Sequence, residues 1–136
     1  MASARWSDDH PARTIDAATV GSVWAEVEAQ ATRPVILIVE AGHAELGAVI
    51  GEPDGTVLTY LPAGYATTGT GSLHSVGDPA AAANDDSEPP VTAYLFGHHT
   101  EFPRWSVVPR AEGLRALAEF CEQPEVPPAA IAWEPD

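Results

Sequence analysis

The run "PVILIVEAG", Pro34 to Gly42, sets the frame for the rest of the chain. Its β-branched residues, bounded by turn formers, predict a well-buried strand. It is far too short to cross a bilayer, which takes about 20 apolar residues in a helix. Upstream, Val20, Val23, Trp24, Val27 and Ala31 recur at helical spacing, and Asp16 stands where a cap would start that helix. Arg33-Pro34 ends it. Downstream, "ELGAVIGE" and "TVLTYLPA" flank the turn signal "PDG", which predicts a hairpin over Glu45 to Leu61 with "SLHSVG" as a strand beside it.

"VTAYLFG" is a further strand, with Tyr94 and Phe96 on one face and Ala93 and Leu95 on the other. "RWSVVP" is a short extended piece, and Pro109 suits the first turn of a helix striped by Leu114, Leu117, Phe120 and Cys121. "AAIAWEP" closes as a strand with Ile131 and Trp133 on the same side. The order helix, strands, helix, strand, joined by hairpins, predicts an α+β fold: a mainly antiparallel β-sheet with two α-helices packed on it. The length of 136 residues suits a single domain over 1–136. Residues 1–13 have the look of a frayed polar start, and "DPAAAANDDSEPP", Asp78 to Pro90, has the composition of an acidic exposed loop.

Charge narrows the function. Six Lys+Arg face 20 Asp+Glu, a formal net charge of −14. Gripping a phosphate backbone needs clustered cations, so direct nucleic-acid binding is excluded, and an anionic membrane is disfavoured for the same reason. Such acidity suits attraction of a basic protein partner, or solubility alone. The lone Cys121 excludes an internal disulfide and a thiolate zinc site. "MASARWSDDHPAR" lacks the apolar core of a signal peptide, which leads us to expect a cytoplasmic protein.

The stretch "FGHHTEFPRW", Phe96 to Trp105, concentrates reactive side chains. Adjacent His98 and His99 point to opposite sides of an extended chain, so they cannot jointly chelate one ion. His99 and Glu101 share a face, with His74 as a distant third ligand, which leaves a His/His/Glu zinc site conceivable but without the helical spacing that makes such motifs specific. "GTGS" lacks the lysine and the following helix of a phosphate loop. No serine sits on a nucleophile elbow, and Cys121 has no neighbouring cation to activate it. No cofactor is expected. Phe102 and Trp105 lie beyond the expected strand end beside Pro103, and aromatic and arginine side chains in such places anchor interfaces. His98, His99, Glu101 and Arg104 would form a polar rim around them, with Asp78, Asp85, Asp86 and Glu88 adding acidic contacts.

The succession "GSLHSVGD", "VTAYLFGHHTEFP", "SVVP" leading into "LRALAEFCE", then a proline followed by "IAW", resembles a family of bacterial immunity proteins. The matching positions are Gly97, Glu101, Pro103, Pro109, Phe120, Pro127 and Trp133, within Val57 to Trp133; "QPEVPP" replaces the family's usual glycine-containing turn before the last strand. The resemblance implies a small cytoplasmic protein encoded beside a polymorphic toxin, often a secreted nucleic-acid deaminase. It would bind that toxin and cover its active site without chemistry of its own. Three other readings stay open: an acidic nucleic-acid mimic that blocks another DNA-binding protein, a small metal-dependent hydrolase using His74, His99 and Glu101, and an adaptor.

Overall fold

A computed structural model describes residues 1–7, 11–84 and 89–136. In chain order its elements are β1 (Ala2–Arg5), β2 (Arg13–Ile15), α1 (Val20–Gln30), β3 (Val35–Ala41), β4 (Ala44–Ile50), β5 (Leu58–Leu61), α2 (Tyr65–Thr68), β6 (Leu73–Val76), α3 (Pro79–Asn84), β7 (Val91–Leu95), β8 (His98–Phe102), a 3-10 turn (Arg104–Ser106), α4 (Arg110–Glu122) and β9 (Ala132–Pro135). The sheet order is β2-β1-β3-β4-β5-β6-β9, and every neighbouring pair along it is antiparallel. The expected α+β architecture holds, as do the β4–β5 hairpin, the β6 neighbour and the closing strand.

Alternation along the strands sorts the sheet into two faces. On one, Leu37, Leu46, Ile50 and Tyr60 pack against Trp24 of α1 and Phe120 of α4. The two long helices also meet directly, because Arg110 of α4 forms a two-pronged ion pair with Glu28 of α1 (both N–O distances 2.8 Å). That pairing, ahead of the opposing effect of burial, holds the Glu28 carboxyl below its usual range. The other face carries a smaller cluster in which Ile36, Ile38, Val49 and Val57 meet Val91 and Ala93 of β7.

Four local expectations are corrected. Ala2–Arg5, expected to be frayed, is a strand: β1 inserts between β2 and β3, and Ala2, Ala4 and Trp6 alternate inward at 3%, 0% and 5% exposure. Small alanines carry little strand propensity, so a period-two pattern built on them looks like polar coil. Asp16 caps a turn rather than the helix itself, its Oδ1 accepting from the amides of Ala18 and Thr19 before α1 begins at Val20. Within Asp78–Pro90, expected as a loop, Pro79–Asn84 is helical, because Asp78 Oδ1 accepts from the amides of Ala80 and Ala81 and seeds the turn. Asp85, Asp86 and Glu88 lie outside the described residues. Finally, "RWSVVP" starts as a 3-10 turn and extends only afterwards, where Val108 bridges Thr56.

Candidate partner-binding site

The largest departure concerns the stretch Phe96 to Trp105. It does not run outward from a strand end; it folds back as β8 and pairs with β7 from Leu95↔His98 to Val91↔Phe102. Phe96 and Gly97 make the reversal with φ values of 49° and 83°. Two consecutive positive φ angles are the signature of the tight hairpin turn whose twist matches the strands it joins. The glycine meets this requirement freely, while Phe96 is held under the Arg5 guanidinium, 5.5 Å from its ring centroid.

The path of β7 explains where this hairpin goes. β3 already has β1 on one edge and β4 on the other. β7 therefore joins β3 only at Val35, through a parallel Val35↔Tyr94 pair and a 3.0 Å bond from the Tyr94 amide to the Pro34 carbonyl. It then packs Val91 and Ala93 onto the face away from the long helices.

Between this hairpin and the sheet lies an apolar groove of about 220 Å³, lined by Ile38, Gly47, Thr59, Leu61, Leu95 and Phe102 among others. Gly47 forms part of its floor, since it carries no side chain between Ile36 and Ile38. Glu45 stands in the wall that the groove shares with a wider cleft of about 700 Å³ reaching Glu40, His43 and Thr67. Glu40 and Glu45 are directly opposed across β3 and β4. Arg5 serves both, with Nη2 at 3.0 Å from Glu40 and 3.7 Å from Glu45. One guanidinium thus faces two carboxylates, and like charges in register oppose strand pairing.

Burial, and then the charge of Glu40, push the Glu45 carboxyl above the usual glutamate range, with Arg5 acting the other way. A carboxyl raised on folding weakens the fold as it ionises, so its penalty is absent below the ordinary glutamate value and complete above the raised one. Glu45→Gln is therefore expected to raise the denaturation midpoint at neutral pH. The gain should close as pH falls below the ordinary glutamate range, which unfolding curves across pH will check.

The structure separates the residues singled out from sequence. Phe102 and Thr100 face the groove, and His98 shares their side of β8. His99 and Glu101 project from the opposite side, where His99 Nε2 lies 3.4 Å from Glu101 and its ring packs on Tyr94. His74 is elsewhere: Nδ1 pairs with Asp136 and the imidazole rests 5.1 Å from the Trp105 ring, so it does not join His99 and Glu101. Among the described residues, no three His, Cys, Asp or Glu side chains gather closely enough to hold a metal ion. Cys121 is half-buried with its thiol pushed up to about 11, chiefly by burial, which suppresses the thiolate.

Arg104 is occupied within the fold. Its Nη1 reaches Glu52 at 2.9 Å and Asp54 at 3.1 Å, and its Nε donates to the Pro89 carbonyl at 3.2 Å. It ties the β4–β5 turn to the segment entering β7. Arg104→Ala is expected to lower stability by about 1–2 kcal/mol, partly recovered at high salt, as measured by urea unfolding. Trp105 packs inward with its indole N–H buried, and its carbonyl accepts from the amides of Gly77 and Asp78. Asp78 is exposed at the head of α3.

Sequence reading missed Glu45, Gly47, Thr59 and Leu61 as a site. The usable signal was a glycine in the middle of "ELGAVI", which in a strand marks close approach or open space, beside Glu45 on the same face.

Seven strands in one antiparallel order, with the two long helices on one face, the β7–β8 hairpin across part of the other and an open groove with Glu45 in its wall, define a module of the α+β class. The family model described as Immunity protein Imm1 matches residues 8–135, and the chain belongs to that family. The match extends the resemblance upstream through α1, β3 and β4. No curated protein matches the chain. As a member of this family the chain is an immunity protein directed against a toxin, which points to binding rather than catalysis. Among the described residues, no helix is long and apolar enough to cross a membrane.

Proposed function

We propose that the chain neutralises a secreted bacterial toxin that deaminates nucleic acid, by seating the open face of its sheet over the toxin's catalytic cleft. The observation that carries this reading is the groove walled by Glu45, which shares Arg5 with Glu40 and holds it at the longer distance, on a chain of net charge −14. A deaminase that draws a nucleic-acid strand toward its activated water needs a basic channel. An acidic cover is steered to such a channel by its field and held there by buried contacts.

Phe102 and His98 on the groove side of β8 are the proposed central contacts. His99 and Glu101, together with Asp78, Asp85, Asp86 and Glu88, supply rim charge. Arg104 and Trp105 hold the hairpin and the 3-10 turn in place. Neutralisation takes place in the cytoplasm of the producing cell, before or instead of toxin export, and needs no cofactor.

The test is gel filtration of the chain with the toxin domain encoded beside it, paired with a deamination assay on single-stranded DNA and RNA. A complex with loss of deamination supports the reading. A complex with a toxin of other chemistry keeps the immunity function and removes the deaminase. Indiscriminate binding to unrelated basic proteins would favour nucleic-acid mimicry instead.

A further inference from the structure

Resting on that reading, we propose that the groove receives one bulky apolar side chain, aromatic or leucine, from a basic loop of the toxin, whose adjacent lysine or arginine pairs with Glu45 and Glu40. Its size fits: an apolar cavity of about 150 Å³ holds a benzene ring, and this one measures about 220 Å³. Its floor is apolar, because Ile36, Ile38, Val49 and Val57 line it and are each at most 9% exposed. Thr59, Leu61, Leu95 and Phe102 around the mouth are only half-buried, which leaves a way in.

Charge selects the occupant. A purely apolar ligand would leave the wall carboxylate desolvated against Glu40, with Arg5 shared between the two. A second cation delivered at Glu45 turns that unfavourable arrangement into a paired one. The wider cleft continues on the far side of Glu45, so a loop can lay its apolar side chain in the groove and carry its cation across the shared wall. This is the geometry of an interface anchor: a pocketed apolar side chain with a desolvated charge pair at its edge.

Two substitutions fill the groove by different routes. A Cβ at Gly47 would sit 3.5 Å from both Ile36 and Ile38, an ordinary contact, so Gly47→Ala should fold normally and Gly47→Leu should extend into the groove. Thr59→Phe closes the mouth from a half-exposed position on which the core does not depend. Circular dichroism and unfolding midpoints establish that each variant is folded, and calorimetry measures binding to a catalytically inactive toxin domain encoded beside the chain.

Gly47→Leu and Thr59→Phe are each expected to weaken binding about 30-fold or more, and Glu45→Gln about 10-fold with a shallower salt dependence. If Gly47→Leu does not fold, Thr59→Phe decides alone. Folded variants that bind as tightly as the wild type overturn the groove proposal and leave the immunity function standing. Absence of binding by the wild-type chain removes both.

Discussion

Gly77→Ala is expected to lose more than about 4 kcal/mol, beyond the usual range for single substitutions and a large share of the stability of a domain this size. Gly77 follows β6 and donates its amide to the Trp105 carbonyl at 2.8 Å. A Cβ built there would overlap the Val107 carbonyl group, which is backbone and has no rotamer to change. To make room, the 3-10 turn must leave β6. That movement also breaks the buried Ser75 bridge, in which Oγ donates to the Ser106 carbonyl at 2.6 Å and accepts from the Leu58 amide at 3.0 Å. Gly21→Ala is the matched control: nothing lies within 4 Å of its added Cβ, it is exposed in the first turn of α1, and helix propensity predicts a gain, smaller than the about 0.5–1 kcal/mol of a helix interior. Guanidinium unfolding of the two variants should move in opposite directions. A wild-type midpoint for Gly77→Ala would contradict the placement of the 3-10 turn against β6.

Phe120→Ala should cost about 3–5 kcal/mol, the range for deleting a buried ring whose cavity cannot fully collapse. Phe120 is fully buried at 0% exposure and meets Tyr60 edge-on, with ring centroids 6.1 Å apart and an interplanar angle of 80°. Tyr60 is fixed in turn by its hydroxyl, which donates to the Pro124 carbonyl at 2.9 Å just beyond α4. The ring therefore links helix, sheet and the segment leading to β9, and its neighbours have little freedom to fill the gap. Phe120→Leu should recover most of the loss. Urea unfolding with an unchanged denaturant slope will show that the change lies in stability rather than in the denatured state.

Legibility in the sequence followed the length of the apolar pattern. α1, β3, the β4–β5 hairpin and α4 carry several large apolar residues at one period, and propensity, pattern and packing agree there. β1 rests on Ala2 and Ala4, whose burial is decided by register against β3 and not by any local preference. β8 was lost for a different reason. Phe96-Gly97 does not advertise a tight turn as Asn-Gly does, and His98, His99 and Glu101 have the composition of a loop, although pairing with β7 makes them a strand.

The site was half legible for the same reason. Alternation correctly divided His98 from His99 and joined His99 to Glu101, but nothing local shows that Phe102 closes a groove over Gly47. That juxtaposition joins residues 47 and 102, far apart in sequence, and exists only once β7 is denied a full edge on β3. The commitment of Arg104 to Glu52 and Asp54 is likewise a contact across the fold.

The proposed mode of action is that this immunity protein covers a toxin's catalytic cleft. Titrating the purified chain into a deamination reaction run by the proposed deaminase toxin tests it most directly. The account predicts activity falling linearly to zero at one equivalent, with the inhibition weakening as salt rises because charge steers the encounter. Full deamination in the presence of excess folded chain would contradict it.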